Sequence, residues 1–436
     1  MDTIFAPATA KGAAGVAVLR VSGPEAANAC TQIAGGLPEP RKAVLRRLRD
    51  AAGATIDHGL ILWFPQPESF TGEDVVEFHV HGGRAVIGGL CEVLGGIAGL
   101  RPAEAGEFTR RGFINGRFDL TAAEGIADLV AAETAAQRRQ ALRQMEGGLA
   151  ALYDRWRGAL IGMLAHAEAV IDFVDEDLPE DVQARMQERV SEIAAEIGCH
   201  LGDFRRGERL RDGVLIALVG APNAGKSSLM NRLAQRDVAI VAETAGTTRD
   251  VIEARLDIGG YAVTVADTAG LRGAAEGVEA EGIRRAHRMA ENADIVLHVT
   301  DATDMNSEPA GAIGADERVI LVRNKTDLIA GPTDRGGDGV AISCLTGDGI
   351  EDLLGQLVGR LEGMYGGGTD VLPTRERHRA GLTRAHEALK RFRTAGAPEL
   401  EAEELRRAVR EIGRITGRVD VEDILDRIFS DFCIGK

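Results

Sequence analysis

The hydrophobic pattern of the chain changes character along its length. Up to about Arg117 the apolar positions come in short or alternating runs. Thr3-Ile4-Phe5-Ala6, Gly15 to Val21, Ala43 to Arg49, His58 to Phe64 and Val75 to His81 read as strands, and Ala85 to Leu94 as a helix. Ser22-Gly23-Pro24-Glu25 predicts the opening of another helix with Ser22 as its N-cap. These elements form an α+β unit. From about Leu120 the period becomes 3.6 and holds to about Phe173, and helix is expected again from Asp181 to about Arg206. Between about Asp212 and Gly363 strands and helices alternate, the signature of a parallel α/β sheet. Beyond the linker Gly366-Gly367-Gly368 helix resumes from Thr374. Two helical blocks around an alternating stretch predict an all-α helical domain with an α/β domain inserted in it. The chain is therefore expected to be multidomain, with boundaries at 1–118, 119–211, 212–364 and 365–436.

Composition narrows the class without changing that layout. The 436 residues are 44% hydrophobic and 27% charged, the balance of a globular protein rather than a disordered chain. The formal net charge of −16 argues against nonspecific nucleic-acid binding by the whole surface but leaves room for a local basic face. Arg406, Arg410 and Arg414 repeat four apart, beside Arg407. They are either a phosphate-contacting face or, with Glu403, Glu404 and Glu411 interleaved, a salt-bridged surface. Cys30, Cys91, Cys199, Cys344 and Cys433 form no CxxC pair, which argues against a disulfide framework or zinc site and fits a reducing compartment. With no apolar run long enough to cross a bilayer, a cytoplasmic protein is expected. Glu77, His79 and His81 alternate on one strand face but lack a further ligand at metal-site spacing. The acid run Asp172 to Asp177 lacks calcium-loop spacing and reads as a solvated corner.

The chemistry concentrates in the alternating stretch. The apolar run Val214 to Val219 leads into Gly220-Ala221-Pro222-Asn223-Ala224-Gly225-Lys226-Ser227-Ser228 and then into a helix. Strand, glycine-rich turn and helix are the context of the pattern G-x-x-x-x-G-K-[ST], whose backbone N–H groups surround phosphates. Lys226 is expected to reach the terminal phosphates and Ser227 to offer its hydroxyl to Mg²⁺. Gly246-Thr247-Thr248-Arg249-Asp250 follows, with Thr248 a second hydroxyl for Mg²⁺. Asp267-Thr268-Ala269-Gly270 ends a strand, with an acid near the metal and an N–H for the γ-phosphate. Asn324-Lys325-Thr326-Asp327 selects the base, because a carboxylate accepts from guanine N1–H and its 2-amino group, which adenine lacks. Ser343-Cys344-Leu345 supports the base from the other side. The set predicts a GTPase. The residue after Gly270 is Leu271, which cannot orient water, and no arginine finger is evident nearby. Glu279 either swings in for that task or is a solvated acid at a helix start.

With these stretches in place, the whole chain resembles the MnmE (TrmE) family of tRNA-modifying GTPases. The resemblance rests on Asp2-Thr3-Ile4, Gly15-Val16, Leu19-Arg20-Val21-Ser22-Gly23, Thr71-Gly72-Glu73-Asp74, Gly106-Glu107-Phe108-Thr109, Asn223 to Ser228, Gly246 to Asp250 and the terminal Phe432-Cys433-Ile434-Gly435-Lys436. It implies an N-terminal folate-binding and dimerising domain, a helical domain and an inserted GTPase domain. It implies a homodimer acting on tRNA with the FAD-dependent partner MnmG. The pair places an aminomethyl or carboxymethylaminomethyl group on C5 of wobble uridine. The one-carbon unit comes from 5,10-methylenetetrahydrofolate, and 5-formyltetrahydrofolate is a ligand of the same kind.

The resemblance further implies potassium-dependent hydrolysis, with K⁺ on Asn223, Ala242, Thr244 and Thr247 in place of the missing arginine, and GTP contacts that include Glu243 and Ala245. It assigns Glu279 to the water, Arg20, Glu77, Arg117 and Lys436 to folate, and Cys433 to catalysis; from the residues alone Cys433 reads as a packed cysteine among Ile428, Phe429 and Phe432. Arg117 stands where the family pattern leads one to expect lysine, and Cys344 where it leads one to expect alanine. A GTPase switch without covalent chemistry, and a folate-dependent aminomethyl transferase merely regulated by GTP, are the other readings.

Overall fold

The structure is a computed structural model that describes residues 2–10, 12–172, 180–236, 252–267, 291–304, 316–329, 339–365, 371–419, 421–430, 432 and 435. The chain forms two compact units. One comprises Met1–Ala127, Gln144–Val190 and Arg384–Lys436, the other Asp128–Arg143 and Ser191–Thr383.

The first unit is built on six strands: β1 (Thr3–Pro7), β2 (Ala17–Ser22), β3 (Val44–Arg49), β4 (Thr55–Phe64), β5 (Val75–Val80) and β6 (Leu100–Pro102). Their order is β3-β4-β5-β2-β1-β6, antiparallel except for the parallel pair β1–β6. Period-two alternation sends Leu19, Val21, Val76 and Phe78 to one face, where they pack with Cys30 and Ile33 of α1 (Ala26–Ala34) and Leu90 and Leu94 of α2 (Arg84–Gly95). On the other face Phe108 of α3 (Glu107–Ile114) packs against Ile4 and Ala6. Ser22 does not cap α1 as the sequence predicts. Glu25 holds that position without a side-chain cap bond, and the Ser22 hydroxyl instead meets Thr71 Oγ1 and Glu73 Oε2, both at 2.7 Å. A buried hydroxyl on a sheet is better satisfied there than at an exposed helix end.

The long helical stretch resolves into α4 (Leu120–Ala131), α5 (Ala135–Met145) and α6 (Gly148–Asp172), followed by α7 (Glu180–Gly202) and α8 (Phe204–Asp212). In the second unit, β7 (Val214–Val219), β8 (Ile252–Ile258), β9 (Tyr261–Asp267), β10 (Ile295–Asp301), β11 (Val319–Asn324) and β12 (Val340–Ala341) form a sheet ordered β12-β11-β10-β7-β9-β8. All its pairs are parallel except the hairpin β8–β9. Helices α9 (Lys226–Arg236) and α10 (Ile350–Tyr365) contribute Leu229, Leu233, Leu353 and Leu357 to a core with Ile216, Leu218 and Leu297. β7 is apolar on both faces, with Ile216 and Leu218 on one and Leu215, Ala217 and Val219 on the other, as a central parallel strand requires.

Helices α11 (Glu376–Phe392), α12 (Pro398–Thr416) and α13 (Glu422–Ser430) follow. In the first unit α12 packs along α6, and α13 against α3. The arginine repeat resolves into ion pairs. Arg384 meets Glu411 at 2.7 Å, Arg391 meets Glu404 at 3.0 Å, and Arg406 meets Glu403 and Glu168 at 3.1 Å. Arg410 and Arg414 are engaged as well. Of the two readings of this face, the salt-bridged surface is the one the structure supports. Near the end of the chain Gly435, at φ +100°, lies so close to β1 that a Cβ would stand 2.2 Å from the Pro7 carbonyl oxygen.

Candidate functional site

The glycine-rich turn begins where β7 leaves the sheet. Asn223 and Gly225 both take positive φ, +64° and +98°, so the backbone curls tightly before α9 starts at Lys226. At Gly225 the approach of another loop excludes any side chain, since a Cβ would lie 2.0 Å from Asn324 Nδ2. Ala224 is buried in the core and fixes the turn to the sheet, while the side of Asn223 is exposed. The buried Lys226 ammonium donates to the Gly220 and Ala221 carbonyls at 2.7 and 2.8 Å. Ser227 Oγ donates to Asp267 Oδ2 at 2.6 Å, and Ser228 is exposed on the next helical position. Asp267 is fully buried at the end of β9, where its register partner is Leu218 of β7. That register brings an acid beside the hydroxyl, as the sequence predicts.

A second group of side chains comes from the loops after β11 and β12. Buried Asn324 donates through Nδ2 to the Ala224 carbonyl at 2.9 Å and accepts from the Cys344 N–H at 3.1 Å. It ties the glycine-rich turn to the loops after β11 and β12. Lys325 sits in the left-handed region at φ +67°, and its ammonium meets Asp301 Oδ2 at 2.6 Å. Hydrogen bonds from Lys325, then from the Thr303 side chain and N–H, pull the Asp301 carboxyl down to about 2. Thr326 Oγ1 donates to the Ile342 carbonyl at 2.9 Å. Ser343 Oγ donates to Asp327 Oδ1 at 2.6 Å and accepts from the Thr346 N–H, so one carboxylate edge is held by a neutral hydroxyl. Cys344 is half-buried, and desolvation pushes its thiol up to about 11. Leu345 is 80% exposed. Asp301 is absent from the sequence reading; the signal available was an acid closing the strand before Asn324-Lys325-Thr326-Asp327.

In the first unit, register opposes Arg20 of β2 to Glu77 of β5. Arg20 donates through Nε and Nη2 to Glu77 Oε1 at 3.0 and 2.9 Å, and His79 Nε2 stands 3.2 Å from Oε2. The Arg20 guanidinium carbon lies 5.2 Å from the Phe70 ring centroid and 5.8 Å from that of Phe108. His81 turns instead to Asp57, at 2.9 Å. Among the described residues no group of three or more His, Cys, Asp or Glu side chains is placed to hold a metal ion. Arg117 is not joined to the Arg20–Glu77 pair; its Nη2 meets Glu68 Oε2 at 3.3 Å. A buried network that the sequence reading did not foresee lies beside this pair. Arg111 links Asp2, Glu73 and Glu107 at 2.9 to 3.2 Å, and Glu73 accepts from Ser22.

Ala242, Glu243, Thr244, Ala245, Gly246, Thr247, Thr248, Thr268, Ala269, Gly270, Leu271, Glu279, Cys433 and Lys436 lie outside the described residues.

Comparison with known proteins agrees with this arrangement. Residues 3–117 match the family description of the GTP-binding protein TrmE N-terminus, and residues 120–433 that of the MnmE helical domain. The chain is 53% identical over 455 residues to the tRNA modification GTPase MnmE of Rhodospirillum rubrum, covering 100% of each. It is 54% identical over 447 residues to the protein of the same name from Parvibaculum lavamentivorans, again covering 100% of each. A third relative of that name, from Paramagnetospirillum magneticum, is 53% identical over 440 residues and is covered in full. With relatives of that name matched from end to end at 53–54% identity, this chain belongs to the MnmE family of tRNA modification GTPases.

Proposed function

We propose that this chain hydrolyses GTP in order to drive the modification of C5 of wobble uridine in tRNA, using a tetrahydrofolate one-carbon unit. GTP is the substrate of the second unit. Water attacks the γ-phosphorus, the bond to the β–γ bridging oxygen breaks, and GDP and phosphate leave. Lys226 and the N–H groups of the phosphate turn hold the triphosphate. Asp327, oriented by Ser343, accepts from the guanine edge.

The Ser227 hydroxyl, with Asp267 behind it, would hold Mg²⁺ together with Thr248, and the ion would offset the negative charge of the phosphates. The exposed Asn223 side chain on its tightly curled turn would hold K⁺ together with Ala242, Thr244 and Thr247, and the ion would supply the positive charge that an arginine finger supplies elsewhere. Glu279 orients the water. The chain works as a homodimer with MnmG, which brings FAD.

The observation that carries the folate part is the Arg20–Glu77 pair between two aromatic rings. A carboxylate offers roughly four acceptor positions. Arg20 fills two and His79 one, so Glu77 can take a pterin N–H edge with a modest rearrangement of His79. Lys436 and Arg117 are proposed to bind the rest of the folate, and Cys433 to act in the transfer. Tetrahydrofolate supplies the carbon at its activated nitrogen.

The test is mass analysis of tRNA nucleosides from cells lacking the chain, complemented with wild type or Cys433→Ser. C5-modified wobble uridines that disappear, and return only with wild type, support both the reaction and the role of Cys433. An unchanged nucleoside profile would remove the enzyme reading and leave a GTPase switch without covalent chemistry.

A further inference from the structure

The salt-bridged face of α12 leaves open where a chain of net charge −16 meets a polyanion. A run of cations, most of them without a carboxylate partner among the described residues, lies on β3 and the turn before it. Residues 41–49 read Arg-Lys-Ala-Val-Leu-Arg-Arg-Leu-Arg, five cations without one acid. Strand β3 is the outer edge of the first unit's sheet, and only Leu48 of the nine is buried. The side chains of Arg41, Lys42, Arg46, Arg47 and Arg49 are all exposed.

Their partners set this strand apart from α12. Only Lys42 has a carboxylate, that of Glu39. Arg41 donates to the Glu68 backbone carbonyl, Arg47 to His58 Nε2 at 3.3 Å, and Arg49 to the Gly53 carbonyl at 3.2 Å. Arg46 pairs through its backbone with Gly59 of β4, and its side chain makes no hydrogen bond or ion pair with the described residues. The nearby acids are engaged elsewhere. Asp50 accepts from the Ala52 and Ala54 N–H groups, and Asp57 binds His81. Protection of a sheet edge against self-association needs one or two lysines. Four of the five cations lack a carboxylate partner, and together they make a positively charged sheet edge, complementary in sign to a phosphate backbone.

We propose that the β3 edge docks the sugar–phosphate backbone of the tRNA substrate. The proposal rests on the reading that this chain acts on tRNA. Phosphate contacts of this kind orient the RNA without reading its bases, so the strip sets where the tRNA lies and leaves the choice of tRNA to other groups.

The test is binding of an unmodified in vitro transcribed tRNA to the full chain across a series of KCl concentrations. Wild type is compared with Arg46→Gln/Arg47→Gln/Arg49→Gln, and with the exposed pair Arg138→Gln/Arg139→Gln of α5 as a control. The triple variant should lose affinity by roughly 10- to 100-fold at about 0.1 M salt. Its slope of log affinity against log salt should shrink by about 2, since each phosphate contact contributes roughly 0.7–0.9. Intrinsic GTP hydrolysis and the melting temperature should stay at wild-type values. Equal affinity and slope in the triple variant and wild type would overturn the proposal. So would a triple variant whose only change is dissociation into monomers by sedimentation, which would make the strip an interface between copies. Wild type that restores wobble modification in cells but shows no tRNA affinity by itself would sink this docking surface while leaving the tRNA reading intact.

Discussion

Two carboxylates in this protein are proposed to recognise much the same chemical edge, and they are held in opposite ways. Asp327 faces a guanine and Glu77 a pterin, each presenting an amino group beside a ring N–H. Asp327 receives a single neutral hydroxyl from Ser343, at 2.6 Å. Glu77 receives the two-pronged guanidinium of Arg20 and the ring of His79. A hydroxyl orients an acid without neutralising it, so Asp327 keeps its full charge for the base. A guanidinium neutralises the acid that it orients, so Glu77 gains a stable position and gives up part of its attraction for a ligand. On the proposed reading, the Asp327 site is thereby suited to tight, discriminating binding and the Glu77 site to looser binding.

The comparison can be broken most decisively at Asp327. Asp327→Asn should weaken GDP binding by roughly 10³-fold, because guanine donors then face an amide in place of a charge. The same variant should gain affinity for xanthosine diphosphate, whose C2 carbonyl accepts from the new amide, and fluorescence titration with both nucleotides measures the exchange. A variant that still prefers GDP would mean that Asp327 is not the reader.

Removing the other holder should cost somewhat less. Arg20→Met leaves the largely buried Glu77 without its main partner and should lower unfolding free energy by about 2 kcal/mol in urea. Arg20→Met/Glu77→Leu should recover most of that loss, and neither variant should bind 5-formyltetrahydrofolate in calorimetry. If the double variant is no more stable than the single, the pair is not the electrostatic unit described above.

Ser343→Ala sharpens the contrast on the nucleotide side. Loss of one hydrogen bond, worth about 1 kcal/mol, should weaken GDP binding about fivefold while the preference for guanine persists. A collapse of base preference would show that the hydroxyl does more than orient.

The smallest effect is a pH signature at Asp301. Its folded pKa is depressed to about 2 from 3.8, so its contribution to stability is complete above about pH 4 and is lost as pH falls through 2. Wild type should therefore exceed Asp301→Asn in stability by a constant small margin above pH 4, and the two should converge towards pH 2 in acid denaturation. A margin that survives at pH 2 would assign the effect to packing.

What was legible in the sequence follows from how each site is built. The phosphate turn and the base loop draw their residues from contiguous runs, because the backbone itself does the binding and must take fixed positive-φ positions such as Asn223 and Gly225. Those runs are readable letter by letter. The Arg20–Glu77 pair depends on β2 meeting β5 in one register, which residues so far apart do not announce. Here it was reached through resemblance alone. Ser22 was misplaced for a related reason: local sequence favoured a helix cap, but the hydroxyl found buried partners in the segment holding Thr71 and Glu73. The arginine repeat of α12 was ambiguous because the pairing of Arg406 with Glu168, and of Glu411 with Arg384 of α11, depends on how helices lie beside one another. Asp301 was missed because nothing about a strand-closing acid says that a left-handed lysine will reach back to it.

The seat of Gly435 against Pro7 bears on how the protein is made. Pro7 and Gly435 touch although more than 400 residues of sequence separate them. At roughly 5–20 residues per second the first strand waits tens of seconds for that neighbour. The parallel sheet of the second unit is synthesised in the meantime from residues close in order. A chain released between these two segments would hold the sheet of the second unit and leave β1 without that contact, an unfinished strand for quality control to find.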